Sequence, residues 1–192
     1  GQEGSFLLWI FWNILLGIIF INKKTNKWNT SVLIIISLTQ LFLTSMVLGI
    51  IFFDFKIGSS PFIMLRDAVT APIFQLNPDF IPENGTGLNI LLQNYWMVIH
   101  PPTLFLGFSI CLIPFAYAIS ALRLSDFRGW ILPTKKWLIY SIIVLGIGIM
   151  MGAYWAYETL NFGGYWNWDP VENAVYVPWL FLVASLHSII LA

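Results

Sequence analysis

Residues 163–173 read Gly163-Gly164-Tyr165-Trp166-Asn167-Trp168-Asp169-Pro170-Val171-Glu172-Asn173, and they lie between two long apolar segments of the chain. Three aromatic side chains, two carboxylates and a helix start are concentrated in this interval. Aromatic residues here either anchor helices at a membrane–water interface or form a platform for a flat apolar ligand with a polar rim. The two interpretations predict different functions for the chain.

The end of this interval has the pattern of a helix start. Asp169 suits the N-cap, Pro170 the first helical position, and Glu172 the third residue of a capping box. Both carboxylates also favour the positive end of the helix dipole. The pattern therefore predicts a structural role for Asp169 and Glu172 in preference to acid–base catalysis.

The composition is that of a membrane protein. The chain has 192 residues, of which 58% are hydrophobic and 9% are charged, against about 25% charged in soluble domains. One small core cannot bury so much apolar surface. The net charge of zero gives no argument for nucleic-acid binding. A single cysteine, Cys111, excludes a disulfide framework and a CxxC pair within this chain, and it is expected to be a small buried hydrophobe.

Five apolar segments have the length of transmembrane helices, which is about 20 residues. They are Ser5–Ile21, Thr30–Phe53, Pro101–Leu122, Trp137–Tyr157 and Ala174–Ala192. We therefore predict an all-α, polytopic transmembrane helix bundle that forms a single membrane domain over residues 1–192. Because the sequence begins at Gly1 and stops inside an apolar segment, we expect a fragment of a longer polytopic protein.

The connections between these segments alternate in charge. The first, Asn22–Asn29, carries three lysines, and the third, Arg123–Lys136, carries four basic residues against one Asp. The second, residues 54–100, is mixed, and the fourth, residues 158–173, has three carboxylates and no basic residue. Lys and Arg are retained on the cytoplasmic side. The first and third connections are therefore predicted inside, and the long outer loop and the aromatic loop outside.

The outer loop has its own helical pattern before the third segment. Leucines and aromatics recur at helical spacing from Leu88 to Ile99, which predicts an amphipathic helix in the outer membrane interface. Pro101-Pro102 is then expected to start the next helix, since proline fits a first turn. Within the fourth segment, Gly148 and Gly152 have the spacing that permits close contact between helices.

The chain has two histidines, and they stand at different depths. His100 is at the outer end of the third segment, where it either caps the helix or binds a metal. His187 lies well inside the last segment, where a buried imidazole needs a partner. Ser185 or Ser188 is a candidate hydrogen-bond partner, and an iron ligand is the alternative. The outer side also holds more aromatic residues than the anchoring of one helix pair requires: Tyr154, Trp155, Tyr157, Tyr165 and Trp179.

These residues resemble a known family. The interval Gly163–Ala174 is similar to the tryptophan-rich WWD signature of haem-handling membrane proteins, and Pro178-Trp179-Leu180 after it is similar to the CcmF/NrfE branch of cytochrome c haem lyases. Further similar blocks are Gly1–Ser5, Leu88–Pro102 and Leu186-His187-Ser188, so the resemblance spans the chain in order. The sequence departs from the family at Asn167, where an aromatic is usual, and at Tyr165, where Trp is frequent.

The resemblance implies two haem sites that use haem b. In the outer site Trp166, Trp168 and Asp169, with Tyr165, contribute to a haem platform, and His100 is an axial ligand of the haem iron. His187 is implied to ligate a second, b-type haem inside the membrane. Each family site uses two histidines and this chain has one for each, so the second ligands are expected beyond Ala192.

The function implied by the resemblance is cytochrome c maturation. The implied enzyme is a holocytochrome c synthase (haem lyase), acting in a complex, and its partners are apocytochrome c, a haem chaperone, other maturation subunits, quinol and membrane lipid. No nucleophilic residue is needed, because the CXXCH thiols of the substrate react and the protein positions them. The expected location is the bacterial inner membrane, with the WWD loop on the periplasmic side, or an organellar inner membrane. Two alternatives are a subunit that transfers haem without attaching it, and an assembly factor whose aromatic loop only docks partners.

Overall fold

The computed structural model describes residues 2–22, 26–53, 55–77, 79–85, 87–159 and 164–191. Within these ranges five long helices are apolar enough to cross a membrane, which confirms the predicted all-α polytopic bundle. They are α1 (Gln2–Ile21), α2 (Asn29–Leu48), α5 (Tyr95–Leu124), α6 (Ile131–Thr159) and α7 (Pro170–Leu191). The shorter elements are strands β1 (Ile50–Phe52) and β2 (Phe55–Ile57), helices α3 (Leu65–Ala68) and α4 (Pro72–Leu76), and a 3₁₀ turn at Ile90–Leu92.

The second transmembrane helix ends earlier than the predicted Phe53. Gly49 adopts a left-handed conformation with φ 61° and closes α2 at Leu48, as glycine commonly does after a helix. The next residues form an antiparallel hairpin in which Ile51 pairs with Lys56. A run of Ile and Phe fits a helix or a strand equally well, so the glycine decides where the helix stops.

The region before α5 also corrects the sequence-based expectation. No separate interfacial helix forms over the described part of Leu88–Ile99, which instead contains the 3₁₀ turn and the first residues of α5. The side chain of Asn94 caps α5 by accepting a hydrogen bond from the backbone N–H of Trp96 at 2.9 Å. His100 and Pro101-Pro102 therefore lie inside α5, and not ahead of its start.

Helices α5 and α6 form the most extensive contact of the bundle, and glycines permit it. A Cβ added to Gly107 would lie 2.9 Å from the Cα of Leu145, and one added to Gly148 would lie 3.0 Å from the Cα of Leu104. The two helix backbones thus approach each other closely at positions where one of the helices has no side chain. The close contact predicted at Gly148 is confirmed.

The connections meet at two ends of the bundle. The side chains of Lys27 and Asp126 form an ion pair that joins the first and third connections. At the other end, Nδ2 of Asn94 donates to the Glu158 carboxylate at 3.4 Å and joins the start of α5 to the end of α6. The first and third connections thus meet at one end of the bundle, and the second and fourth at the other, as the alternation of charge predicts. Which end faces the cytoplasm stays a prediction.

The close contact between α5 and α6 can be tested by a substitution that adds one methyl group to a glycine. Gly107→Ala is expected to destabilise the protein by about 1–3 kcal/mol, because overpacking a tight contact forces the backbones apart. The matched control is Gly17→Ala in α1, where the added Cβ finds Ile36 only at 4.0 Å. Thermal unfolding in detergent, followed by circular dichroism, measures both. Equal unfolding midpoints for the two variants would contradict the close approach.

The ion pair between Lys27 and Asp126 predicts that the stability of the protein depends on pH. The Lys27 ammonium, together with the backbone N–H of Gly129, lowers the pKa of Asp126 below its usual value. A carboxyl group with a lowered folded pKa stabilises the protein above its unfolded pKa of about 3.9, and this contribution is lost as the pH falls through the folded value. The difference in unfolding midpoint between wild type and Asp126→Asn should therefore be present at neutral pH and vanish on acidification.

Two conditions check the cause of that difference. Added salt should shrink it, because both side chains contact solvent and screening weakens exposed pairs. In a Lys27→Gln background, Asp126→Asn should have a smaller effect than in wild type. A difference that is unchanged from neutral to strongly acidic pH would show that the carboxylate charge plays no part.

Candidate functional site

The start of α7 is fixed by a reciprocal pair of carboxylates. Oδ1 of Asp169 accepts a hydrogen bond from the backbone N–H of Glu172 at 2.7 Å. Oε2 of Glu172 accepts from the N–H of Asp169 at 3.4 Å and from that of Asn167 at 2.7 Å. The predicted capping box is confirmed. Its extension to Asn167 also ties down the aromatic loop before the helix.

The backbone turns sharply at Trp168. This residue has φ 55°, a left-handed conformation that is uncommon outside glycine. Nδ2 of Asn173 donates to the carbonyl oxygens of Trp168 and Asp169, each at 3.0 Å, and these bonds hold the turn. Gly163, the first residue of the quoted interval, lies outside the described residues.

The aromatic side chains form two separate groups. In the first, the rings of Tyr157 and Tyr165 are stacked at 4.2 Å between centroids, with Tyr154 at 6.3 Å from Tyr165. Tyr165 thus packs on the end of α6. It does not share a group with the two loop tryptophans.

The second group runs from the loop into α7. Trp166 lies 5.6 Å from Trp168 and 5.4 Å from Tyr176, both edge to face. Tyr176 stacks on Trp179 at 6.1 Å, and Nε1 of Trp179 donates to the carbonyl of Ile142 on α6 at 2.9 Å. A continuous series of ring contacts therefore links the loop tryptophans to the place where α7 packs on α6.

The imidazole of His100 lies at the contact between α5 and α6. Nδ1 is 2.9 Å from the carbonyl oxygen of Gly148, and since a carbonyl only accepts, Nδ1 carries the proton. The other nitrogen, Nε2, then has a free lone pair. A Cβ added to Gly152 would lie 2.7 Å from Cε1 of this ring, so Gly152 makes the room that the imidazole occupies.

A cavity of about 120 Å³ adjoins His100. It is lined by α5, α6, the aromatic loop and the first turns of α7. Its polar lining side chains include those of His100, Trp155, Trp166, Asp169 and Glu172. The structure thus brings together three of the predicted site residues: His100, Trp166 and Asp169. Tyr165 and Trp168 are not among the lining residues, and 66% of Trp168 is exposed.

Two lining residues carry buried donors without a partner. Nε1 of Trp155 and Nε1 of Trp166 are buried, and neither has a hydrogen-bond partner within the part of the chain that the structure describes. Sequence reasoning grouped Trp155 with the outer aromatics but did not assign it to the site. The available signal was its spacing, because positions 148, 152 and 155 recur on one face of α6.

His187 lies far from this cavity. It is exposed on α7, and its Nδ1 donates to the carbonyl of Val183 at 2.8 Å. At about 1.5 Å of rise per residue, it stands roughly 25 Å along the helix axis from Pro170. The expected serine partners do not serve it: the hydroxyls of Ser185 and Ser188 donate to the carbonyls of Phe181 and Ala184. The described residues contain no group of three His, Cys, Asp or Glu side chains able to hold a metal ion.

Comparison with known proteins assigns the chain to a family. The sequence profile described as cytochrome C assembly protein matches residues 1–192. The chain belongs to that family.

Its similarity to individual family members covers nearly the whole chain. The cytochrome c-type biogenesis protein CcmF of Pseudomonas aeruginosa is 36% identical over 192 residues, which is 98% of this chain and 26% of that protein. NrfE of Haemophilus influenzae is 36% identical over 194 residues, 98% of this chain and 27% of that protein. The solved structure of the cytochrome c heme lyase CcmF superposes with a TM-score of 0.73 at 29% identity, over 99% of this chain and 27% of that one.

These comparisons confirm the predicted CcmF/NrfE relationship and an integral membrane protein of the cytochrome c assembly family. The chain spans about a quarter of the length of the curated relatives it matches. The activity and partners of a whole family member are therefore proposals for this chain.

Two substitutions at Asp169 can distinguish its role as a helix cap from any effect of its negative charge. Asp169→Ala is expected to cost about 0.5–2 kcal/mol of local stability, whereas Asp169→Asn should cost little, because Asn caps a helix as well as Asp does. Amide hydrogen exchange over residues 166–173 measures the effect on the loop and the first turn of α7. If Asp169→Asn accelerates exchange as much as Asp169→Ala does, the carboxylate acts through its charge and not as a cap.

Proposed function

We propose that this chain binds haem at the cavity beside His100 and takes part in attaching it covalently to apocytochrome c. The observation that carries the proposal is the His100 imidazole, whose Nδ1 is held by Gly148 while its Nε2 keeps a lone pair beside a cavity with aromatic walls. The names of the similar proteins, cytochrome c-type biogenesis proteins and a cytochrome c heme lyase, support the same function.

His100 would hold the iron of a bound haem through its Nε2 nitrogen. Neutral imidazole is a common iron ligand. Metal-ligating histidines usually donate their second ring N–H to a carbonyl or carboxylate, which fixes the tautomer and the ring orientation. His100 has this arrangement, and the carbonyl that holds it belongs to Gly148 on a different helix. The proposed cofactor is haem b.

The size of the cavity limits how much of the ligand enters it. Pockets that bury most of a ligand have volumes of roughly 300–1,000 Å³, while this cavity has about 120 Å³. It therefore takes one edge of a macrocycle and leaves the rest outside. Trp168, which turns outward at its left-handed backbone, offers an aromatic surface at the rim.

The reaction needs positioning more than a catalytic side chain. Bound haem supplies two vinyl groups, and each substrate thiol adds across one of them, so that sulfur bonds to one carbon and hydrogen to its neighbour. The protein would hold the haem in a fixed position, orient the histidine that binds its iron, and exclude water from the vinyl groups. We therefore infer a holocytochrome c synthase (haem lyase) that acts in a complex with a haem chaperone and other maturation subunits.

His187 is proposed to ligate a second, b-type haem inside the membrane. Its ring is oriented by the Val183 carbonyl and its side chain faces outward from α7. A second ligand must then come from protein packed on that face. Quinol is the proposed source of electrons for this haem, and the purpose is to keep the working haem reduced.

The proposed location is an inner membrane, bacterial or organellar, with the cavity on the outer, periplasmic face. The end of the bundle away from the cavity contains the Lys27–Asp126 pair and the basic connection between α5 and α6. An excess of Lys and Arg marks the cytoplasmic side. That distribution supports the orientation.

A subunit that transfers haem without attaching it is the alternative. One observation favours it: the chain supplies a single histidine to each proposed site. Such a subunit would release haem to another protein and would make no thioether product.

The two histidines should give separable spectra in the purified full-length protein. His187→Ala is expected to remove a reducible b-type haem signal, and His100→Ala is expected to remove haem bound on the outer side while leaving that signal intact. Each variant serves as the control for the other, because the two sites are far apart. Formation of thioether-linked cytochrome c in cells should fall at least tenfold in His100→Ala. Normal cytochrome maturation in His100→Ala would overturn the lyase role of this site. A wild-type protein that supports maturation but never carries a haem signal of its own would overturn the proposal altogether.

A further inference from the structure

We propose that the hairpin of β1 and β2 is an interfacial anchor, whose apolar face lies against phospholipid at the end of the bundle that holds the cavity. Trp28, at the start of α2, contacts Tyr117 near the end of α5, so the hairpin that follows α2 stands at the end where α5 begins. The proposal does not depend on either haem site, since none of the described hairpin residues lines the cavity beside His100.

The register of the two strands sorts the hairpin side chains onto two faces. Successive side chains of a strand point to opposite faces, and directly paired residues share a face. Ile51 pairs with Lys56 on one face. The other face carries four large apolar side chains, those of Ile50, Phe52, Phe55 and Ile57. The hairpin is therefore amphipathic.

The apolar face is uncovered within the part of the chain that the structure describes. Its four side chains are exposed by 48% at Ile50, 64% at Phe52, 78% at Phe55 and 50% at Ile57. A lone two-stranded hairpin is at best marginally stable in water and needs an apolar face packed against something. The hairpin thus requires a cover that the described residues do not supply.

The turn of the hairpin is apolar as well. Phe53 is 86% exposed and adopts φ 52°, a left-handed conformation for which hairpin turns usually use Asn, Asp or Gly. Its ring lies edge to face with that of Phe52, at 4.8 Å between centroids. Turn geometry therefore does not explain an aromatic side chain at this position, whereas an apolar medium around the tip favours one.

The depth of the hairpin identifies lipid as the cover. With 20 residues, α2 crosses about 30 Å, which is the thickness of the hydrocarbon core, so its end at Leu48 stands at the membrane boundary. The backbone N–H of Ser59 donates to the Met46 carbonyl at 2.9 Å. A Cβ added to Gly58 would lie 2.5 Å from the carbonyl oxygens of Ser45 and Met46. Both ends of the hairpin are therefore held at the last turn of α2, and the hairpin stays at the boundary.

The exposed surface of α2 continues into this face. The exposed apolar side chains of α2 include Ile34, Leu38, Leu41, Phe42 and Leu48. In a helix that crosses a membrane, such side chains face lipid, and Ile50 follows Leu48 by only two residues. The apolar face of the hairpin therefore adjoins a surface that already contacts acyl chains.

The polar groups of the hairpin limit how deeply it enters. Within the described residues the sheet has two strands only, so each strand has an outer edge whose backbone groups need water or lipid headgroups as partners. Lys56 lies on the face opposite the phenylalanines, and its long side chain can carry the ammonium to lipid phosphates. The hairpin thus lies flat at the level of the headgroups, with its phenylalanines toward the acyl chains.

Spin labelling of the purified full-length protein in vesicles of phosphatidylethanolamine and phosphatidylglycerol tests this arrangement. Phe52→Cys and Phe55→Cys each place a nitroxide on the apolar face, and Ile51→Cys and Lys56→Cys place it on the other face. The native cysteines, including Cys111, are replaced by alanine in every variant. Oxygen concentrates in lipid and a nickel chelate stays in water, so the ratio of their collision rates with the label reports its depth. This ratio is expected to be several-fold higher on the apolar face than on the other face.

Two control positions calibrate the ratio. Leu41→Cys, on the exposed surface of α2, gives the value for lipid, and Glu83→Cys, exposed in the same connection, gives the value for water. A water-like ratio on both faces of the hairpin would overturn the anchor and favour a soluble polypeptide as the partner. Low collision rates with both reagents on the apolar face would show that protein covers it, which would overturn the anchor equally. Phe53→Cys at the exposed tip provides a further label if one of the strand variants fails to fold.

Discussion

The close approach of α5 and α6 is the constraint on which the rest of the structure depends. Lipid supplies no hydrophobic force between helices, so packing and interhelical hydrogen bonds must hold them. Gly107 and Gly148 remove the side chains that would separate the backbones. The same approach brings the Gly148 carbonyl to Nδ1 of His100 and, through Gly152, makes room for the imidazole. One packing solution therefore builds the bundle, selects the histidine tautomer and opens the cavity.

The capping box assigns different positions to the two loop tryptophans. Glu172 accepts hydrogen bonds from the backbone on both sides of Trp168, which holds the loop against the start of α7. With that anchor in place, Trp166 turns into the cavity, and the left-handed backbone at Trp168 turns the next indole outward. Residues that look equivalent in the sequence thus receive an inner and an outer role. The carboxylates achieve this as helix caps.

The sequence predicted those features that depend on local chemistry or on composition. Five spans follow from hydropathy, and the capping box follows from Asp169 and Glu172 standing at the required spacing. The end of α2 and the absence of an interfacial helix did not follow, because apolar runs fit several structures and Gly49 and Asn94 decide between them. The position of Trp155 in the cavity lining did not follow either, because it requires knowing which face of α6 meets α5. Tertiary packing determines that face. The periodicity of the sequence identifies it only when the partner helix is already known.

The two histidines are oriented by different means. His100 is fixed by the carbonyl of a neighbouring helix, so its orientation depends on the bundle being assembled. His187 is fixed by a carbonyl one turn back on its own helix and needs no neighbour. Each therefore offers one prepared nitrogen, and His187 stands roughly 25 Å along α7 from Pro170, near the end of the helix that lines the cavity. Because the sequence contains two histidines, a second histidine ligand at either of the proposed haem sites would have to come from protein outside this chain.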